Sequence, residues 1–327
     1  MHHRIKATSF GTSALAGNGP AAPQWPSYTG TSQFVGTSPS GRVTIYVDPT
    51  LGDQGLQNAE DLLNDADRVV NANDALFGTT GGPVSVIVFA LGGATDGTGG
   101  ADHMGCDYTT GPNIEVCASF GNSARVSALF EAELSECSMN GNLCGLSTGE
   151  ALSRWCASVV SKNALADFAT APQWAQDGMP DFVNQTDQTD RSADSTGCGM
   201  ALLSWLMSLG YGLDKITPAM VSLGDAGTLA QLYANLASDT AANAWPNFQA
   251  AIQNLPNGVT SDDPFGAVPQ AMEMIRTALP PQGAAGSGKK EAASVRAASC
   301  SPKSKRLLPP KAYQQERRPG DGPVALN

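Results

Sequence analysis

The sequence predicts an α+β domain in which a small sheet packs against a mainly helical half, and three observations carry that expectation. Alternating, β-branched segments are confined to the first 120 or so of the 327 residues. Segments with 3.6-residue periodicity fill almost everything after them. No internal repeat divides the chain.

The elements follow in order. "RVTIYVDP" (42–49) alternates and is β-branched, which predicts a strand. "DQGLQNAEDLLNDADRVVNANDALFG" (53–78) has helical periodicity and a terminal glycine. "PVSVIVFALGG" (83–93) predicts a buried strand, a Gly-rich loop runs to residue 112, and "NIEVCASF" (113–120) predicts a shorter strand. Helices are expected from 124–139, 147–160, 172–183, 198–211, 213–224, 227–237 and 241–255. Ser147 and Glu150 stand in capping-box spacing at the start of the second of these. Residues 1–40, rich in Gly, Ser, Thr and Pro, read as a flexible lead-in, 41–280 as the folded domain, and 281–327 as a basic disordered tail.

Charge is unevenly divided. The tail from 281 holds nine Lys/Arg against three Asp/Glu, which leaves ten basic and 27 acidic groups in the body. A body so acidic excludes nucleic acid as its partner. No apolar run reaches the roughly 20 residues that span a bilayer, so no membrane span is expected. Six cysteines between Cys106 and Cys198 allow three disulfides, with Cys300 left over, and their use predicts an exported protein, periplasmic or extracellular. The opening residues lack the continuous apolar stretch of a signal peptide.

The helix "ARVSALFEAELSECSM" (124–139) raises the functional question. At about 100° per residue, Val126, Leu129, Phe130 and Cys137 form one arc with Leu134 at its margin. Glu133 falls inside that arc and Glu136 at its edge, while Glu131, Ser127 and Ser135 are expected to face water. A carboxylate on a core-facing stripe needs a cation, a metal or several donors, since burying it unpaired costs several kcal/mol or forces protonation. Arg154, four residues after Glu150, is able to pair with Glu150 or reach Glu133.

Other chemistries are weaker. "GLSTG" (145–149) has the form of a nucleophile elbow, but the preceding "MNGNLC" is a loop and no histidine follows it, so Ser147 reads as a helix cap. His103, the one histidine beyond the first three residues, lies in the Gly-rich loop and is set aside as a catalytic base. Asp187, Asp190 and Asp194 in "NQTDQTDRSADSTG" lack EF-hand spacing and read as a solvated loop, in which Asn184-Gln185-Thr186 fits a glycosylation sequon. Paired acids, Glu133 and Glu136 with Glu150, Asp177 and Asp181 on later segments, are the remaining resource, and glycosidase-like work by two carboxylates depends on their separation.

Taken together, residues 43–253 resemble the zincin metallopeptidases, in particular the gluzincin or peptidase MA-like families, within a bacterial branch whose HExxH motif is degenerate. "NIEVCASF" stands where the family has its antiparallel edge strand, "AELSE" (132–136) where it has HExxH, "WAQDGMPDFV" (174–183) where it has its glutamate helix, and "CGMALLSWLMSLGYG" where a closing helix follows. The resemblance implies a twisted mixed sheet with an antiparallel edge strand, followed by helices. It maps the three zinc-ligand positions onto Ala132, Glu136 and Asp177 and the general base onto Glu133, with Glu150, Arg154 and Asp181 in support. Alanine donates nothing to zinc, so no zinc is expected, and the implied function is a catalytically degenerate pseudoenzyme that binds or scaffolds an unknown protein or peptide. Two alternatives stay open. In one, Glu133, Glu136 and Asp177 hold calcium, magnesium or manganese; in the other, the chain is an active hydrolase, either a peptidase with a carboxylate metal site or a glycan-cleaving enzyme using Glu133 and Glu136.

Overall fold

The computed structural model describes residues 19–161, 169–269 and 272. The strands are β1 (Gln33–Thr37), β2 (Val43–Val47), β3 (Val84–Phe89), β4 (Ala101–His103) and β5 (Asn113–Cys117). They form one mixed sheet in the order β1-β2-β3-β5-β4, with β2, β3 and β5 parallel and both edges antiparallel. The helices are α1 (Gly52–Phe77), α2 (Ser123–Ser138), α3 (Ser147–Val160), α4 (Thr170–Gln176), α5 (Ala193–Ser208), α6 (Leu213–Leu223), α7 (Leu229–Ala237) and α8 (Ala244–Gln253). The α+β class is as the sequence predicts.

Local chemistry explains the elements nearest the site. Asp48 accepts from Thr50 N at 2.9 Å and starts the turn that leads into α1, which ends at Gly78 with φ 67°. Asn122 caps α2 by accepting from Arg125 N. β2 and β3 are buried on both faces. Ile45, Val86 and Val88 pack with α1 and α2, while Tyr46, Ile87 and Phe89 form a second cluster with Trp25. In α5, Gly197 lies against the Thr170 carbonyl of α4 and Gly199 against the Ala151 side chain of α3, so a Cβ at either position would drive the helices apart.

Five expectations are corrected. The lead-in does not run to residue 40: Gln33–Thr37 is an edge strand, and residues 25–28 are held on the sheet because Glu115, fully buried on β5, accepts from Ser27 N (2.9 Å), Ser27 Oγ (2.6 Å) and Tyr28 N (2.6 Å). The antiparallel edge is β4, inside the Gly-rich loop, and not "NIEVC", which pairs parallel with β3. Glu131, Ser127 and Ser135 do not face water. They are buried because α1, α3 and the sheet cover α2 on several sides, which leaves no solvated arc. Ser147 is the first residue of α3 and makes no cap hydrogen bond, and Glu150 bonds Arg154 instead of closing a capping box. Three disulfides are not formed: Cys106 joins Cys144, and Cys117, Cys137, Cys156 and Cys198 are free and buried.

The tail at 281–327 lies outside the described residues. Among the described residues no helix is long and apolar enough to cross a membrane.

Glu115→Ala leaves three donors of the 25–28 segment without their acceptor. It is expected to cost about 1–3 kcal/mol and to speed amide hydrogen exchange selectively at Ser27 and Tyr28.

Candidate functional site

The site lies between the edge strand β4 and the inward face of α2. Register with β5 places His103 opposite Ile114. Beyond the strand, the Cys106–Cys144 disulfide ties the following loop to the segment after α2, and Gly141 N donates to Cys106 O at 2.7 Å. The imidazole is thereby held over α2. His103 Nδ1 lies 2.5 Å from Gly105 O, and His103 Nε2 lies 2.8 Å from Glu136 Oε2 and 3.6 Å from Glu133 Oε2. The three side chains are only 9%, 19% and 13% exposed for His103, Glu136 and Glu133.

Electrostatics follow from that geometry. Burial pulls His103 down, but the hydrogen bond with Glu136 and the charges of Glu133 and Glu136 outweigh it, and the ring titrates at about 9. Burial first, and then the neighbouring Glu136, push Glu133 well above the usual carboxylate range, with His103 opposing them. An imidazolium is therefore the cation that meets the carboxylates of the apolar stripe.

A second buried acid, Glu131, stands on the opposite arc of α2. Glu131 Oε1 accepts from Asn73 Nδ2 (3.1 Å) and Ser135 Oγ (3.3 Å), whereas its Oε2 is buried with no hydrogen-bond partner. Burial raises it to about 8. The network continues outward through Ser138, which donates to Asn73 Oδ1 at 2.6 Å, to Tyr108, 2.7 Å from Ser138 Oγ.

The residues proposed from sequence are only partly brought together. Glu133 and Glu136 share the cluster. Ala132 is buried beside them and offers no donor. Asp177 is exposed at the end of α4, where it accepts from Gln173 Nε2 at 2.6 Å and faces Asp194, whose carboxyl is raised by burial first and then by Asp177; among the described residues no hydrogen bond or ion pair links Asp177 to Glu133, Glu136 or His103. Among the described residues, the group of possible ligand atoms lying within 4.8 Å of one another comprises His103, Cys106 and Glu136, and it includes neither Ala132 nor Asp177.

Glu150 is bound by Arg154 Nε at 2.6 Å, and burial raises its carboxyl against the pull of that arginine. Asp181 caps the turn after α4, accepting from Val183 N and Asn184 N. Arg191 lies exposed beside Asp190, and Asp187 accepts from Ser195 Oγ at 2.9 Å.

Sequence reasoning missed His103. A three-residue strand is too short to show alternation, and the surrounding glycines mask it. The signal that pointed to it is the mismatch itself: an inward carboxylate needed a cation, and the folded body held one histidine.

No family model matches the chain, and no curated protein matches it. Among solved structures the chain is similar to yeast LTA4 hydrolase in complex with bestatin, at 12% identity over 69% of this chain and 38% of that one, with a TM-score of 0.34. The chain therefore spans well under half the length of that protein, and a likeness of this size assigns it neither an activity nor a site.

Proposed function

We propose that this chain is a zincin-like domain that does not hydrolyse peptides and instead binds a protein or peptide partner. The observation that supports this reading is the 2.8 Å contact of His103 Nε2 with Glu136 Oε2, beside Glu133: the acid at the general-base position is met by an imidazole of its own chain. Zinc-peptidase chemistry needs a metal with an open coordination position to activate water, and the metal itself is held by protein donors at positions that Ala132 and Asp177 occupy here. Two cavities among the described residues, one of about 10 Å³ behind Leu143 and Met220 and one of about 620 Å³ within residues 22–32, are not lined by His103, Glu133 or Glu136. The Cys106–Cys144 disulfide favours an exported protein, since such bonds persist in oxidising compartments.

The test is hydrolysis of a mixed peptide library and of polysaccharides by the purified protein, with and without added divalent metals. No turnover above that of a Glu133→Gln control is expected. Turnover that needs metal and is abolished in Glu133→Gln would overturn the reading in favour of a carboxylate-metal peptidase. Metal-independent cleavage of glycans lost in both Glu133→Gln and Glu136→Gln would overturn it in favour of two-carboxylate catalysis.

A further inference from the structure

We infer that Cys144 is a site of reversible S-thiolation. A low-molecular-weight thiol opens the Cys106–Cys144 disulfide by attack at Cys144, is held there as a mixed disulfide, and leaves Cys106 as a thiol beside His103 and Glu136. This modification goes beyond the loss of peptide hydrolysis and does not depend on it.

The two sulfurs differ in access. Cys144 is exposed, whereas Cys106 is only 8% exposed. The local backbone makes that difference. Asn140, Gly141, Leu143 and Gly145 all have positive φ, so the segment after α2 turns repeatedly. It is pinned on either side of Cys144 by the buried Leu143 and Leu146, and Asp225 accepts from Leu143 N at 2.6 Å. Cys144 is thereby turned into solvent while its partner stays covered. A thiolate attacks whichever disulfide sulfur it can approach, and here that sulfur is Cys144 Sγ.

In the exchange the incoming sulfur bonds to Cys144 Sγ as the Sγ–Sγ bond breaks. The external sulfur is oxidised, while the Cys106 sulfur leaves with the electron pair and takes a proton to become a thiol. A ring nitrogen of His103 and a carboxylate oxygen of Glu136 lie within 4.8 Å of it. The imidazolium offsets the departing charge and the carboxylate opposes it, so access and not activation selects Cys144.

Reversibility follows from contacts that do not need the disulfide. Gly141 N donates to Cys106 O at 2.7 Å, and His103 Nε2 meets Glu136 Oε2 at 2.8 Å, so the Cys106 loop is tied both to α2 and to the segment after it. Once external thiol is withdrawn, the Cys106 thiolate stands at high effective concentration beside the mixed disulfide, attacks Cys144 Sγ and expels the small thiol.

The experiment treats the disulfide-bonded full chain, carrying Cys300→Ser so that the tail sulfur takes no part, with reduced glutathione, alkylates free thiols and maps every adduct by mass spectrometry. Glutathione is expected on Cys144 and the new thiol at Cys106, while the buried Cys117, Cys137, Cys156 and Cys198 stay unlabelled. Dilution into thiol-free buffer is expected to restore the disulfide. Single-sulfur variants in the same background give the rates with glutathione disulfide as the probe: Cys106→Ser is expected to take glutathione on Cys144, and Cys144→Ser to take it on Cys106 at least about tenfold more slowly. Thermal melts check folding, and should either variant fail to fold, the map of the Cys300→Ser chain decides by the same criteria. Glutathione on Cys106 in equal or greater amount, no new thiol at Cys106, or equal rates in the two variants would each overturn the site. Labelling of the four buried cysteines in step with opening would overturn it too, because exchange would then proceed through unfolding. An adduct that persists after dilution would overturn its reversibility.

Discussion

Well above pH 8 the Glu131→Gln protein is expected to gain stability over wild type, relative to the same comparison near pH 5, by about 4 kcal/mol. The sign follows from proton binding. Glu131 has a folded-state pKa of about 8, whereas in the unfolded chain it titrates in the ordinary glutamate range. Between those values the unfolded state has lost a proton that the folded state keeps, so wild-type stability falls as pH rises and levels off above about 8.

Glutamine cannot ionise, and its carbonyl still accepts from Asn73. Its amide meets the same partnerless surroundings as Oε2, which lowers stability equally at every pH. The informative quantity is therefore the change in the stability gap across the window, read from denaturant melts at a series of pH values. His103 also loses its contribution as pH rises towards about 9, but it does so in both proteins and cancels in the difference. A gap independent of pH would mean that Glu131 is solvated or paired in solution.

The second large effect is in the helical half. Trp174→Ala is expected to cost about 3–5 kcal/mol, the range for deleting a large aromatic side chain from a core. Trp174 is fully buried, stacks on Phe248 with ring centroids 5.9 Å apart, packs edge-on against Trp245, and donates from Nε1 to Pro180 O at 2.9 Å. It holds α4 to α8 and fixes the turn after it. A loss below about 1 kcal/mol in chemical denaturation would show that this tryptophan is not packed as described.

These residues also mark what the sequence made legible. Trp174 belongs to a segment expected to be helical over 172–183, of which the helix keeps only the part up to Gln176, because Gly178 and Met179 turn the chain with positive φ; the strands 43–47, 84–89 and 113–117 announced themselves by β-branched runs. What escaped was whatever depended on tertiary cover. Gln33–Thr37 sits in a Gly/Ser/Thr-rich stretch whose order comes from pairing with β2 and, just before it, from the anchorage of Ser27 and Tyr28 on Glu115, 88 and 87 positions away in sequence. Glu131 lay on the arc opposite the expected apolar stripe, and nothing local reveals that α1 covers that arc too.

The site divides in the same way. Glu133 and Glu136 were found because a 3.6-residue period is enough to show that a carboxylate points inward. Asp177 was tied to them only by a resemblance, and in the fold it faces Asp194. His103, the partner that resolves the puzzle of the inward acid, came from a loop with no period at all, because a β-bridge to Ile114 and a disulfide three residues later set its place.

The inward acids of α2 are held by their pairing with that imidazole. A double-mutant cycle of His103→Gln and Glu136→Gln, measured by chemical denaturation of the metal-free protein near neutral pH, tests it directly. A coupling energy of about 1.5–3 kcal/mol is predicted, as for a largely buried hydrogen bond between charged groups. Additivity within about 0.5 kcal/mol would contradict it.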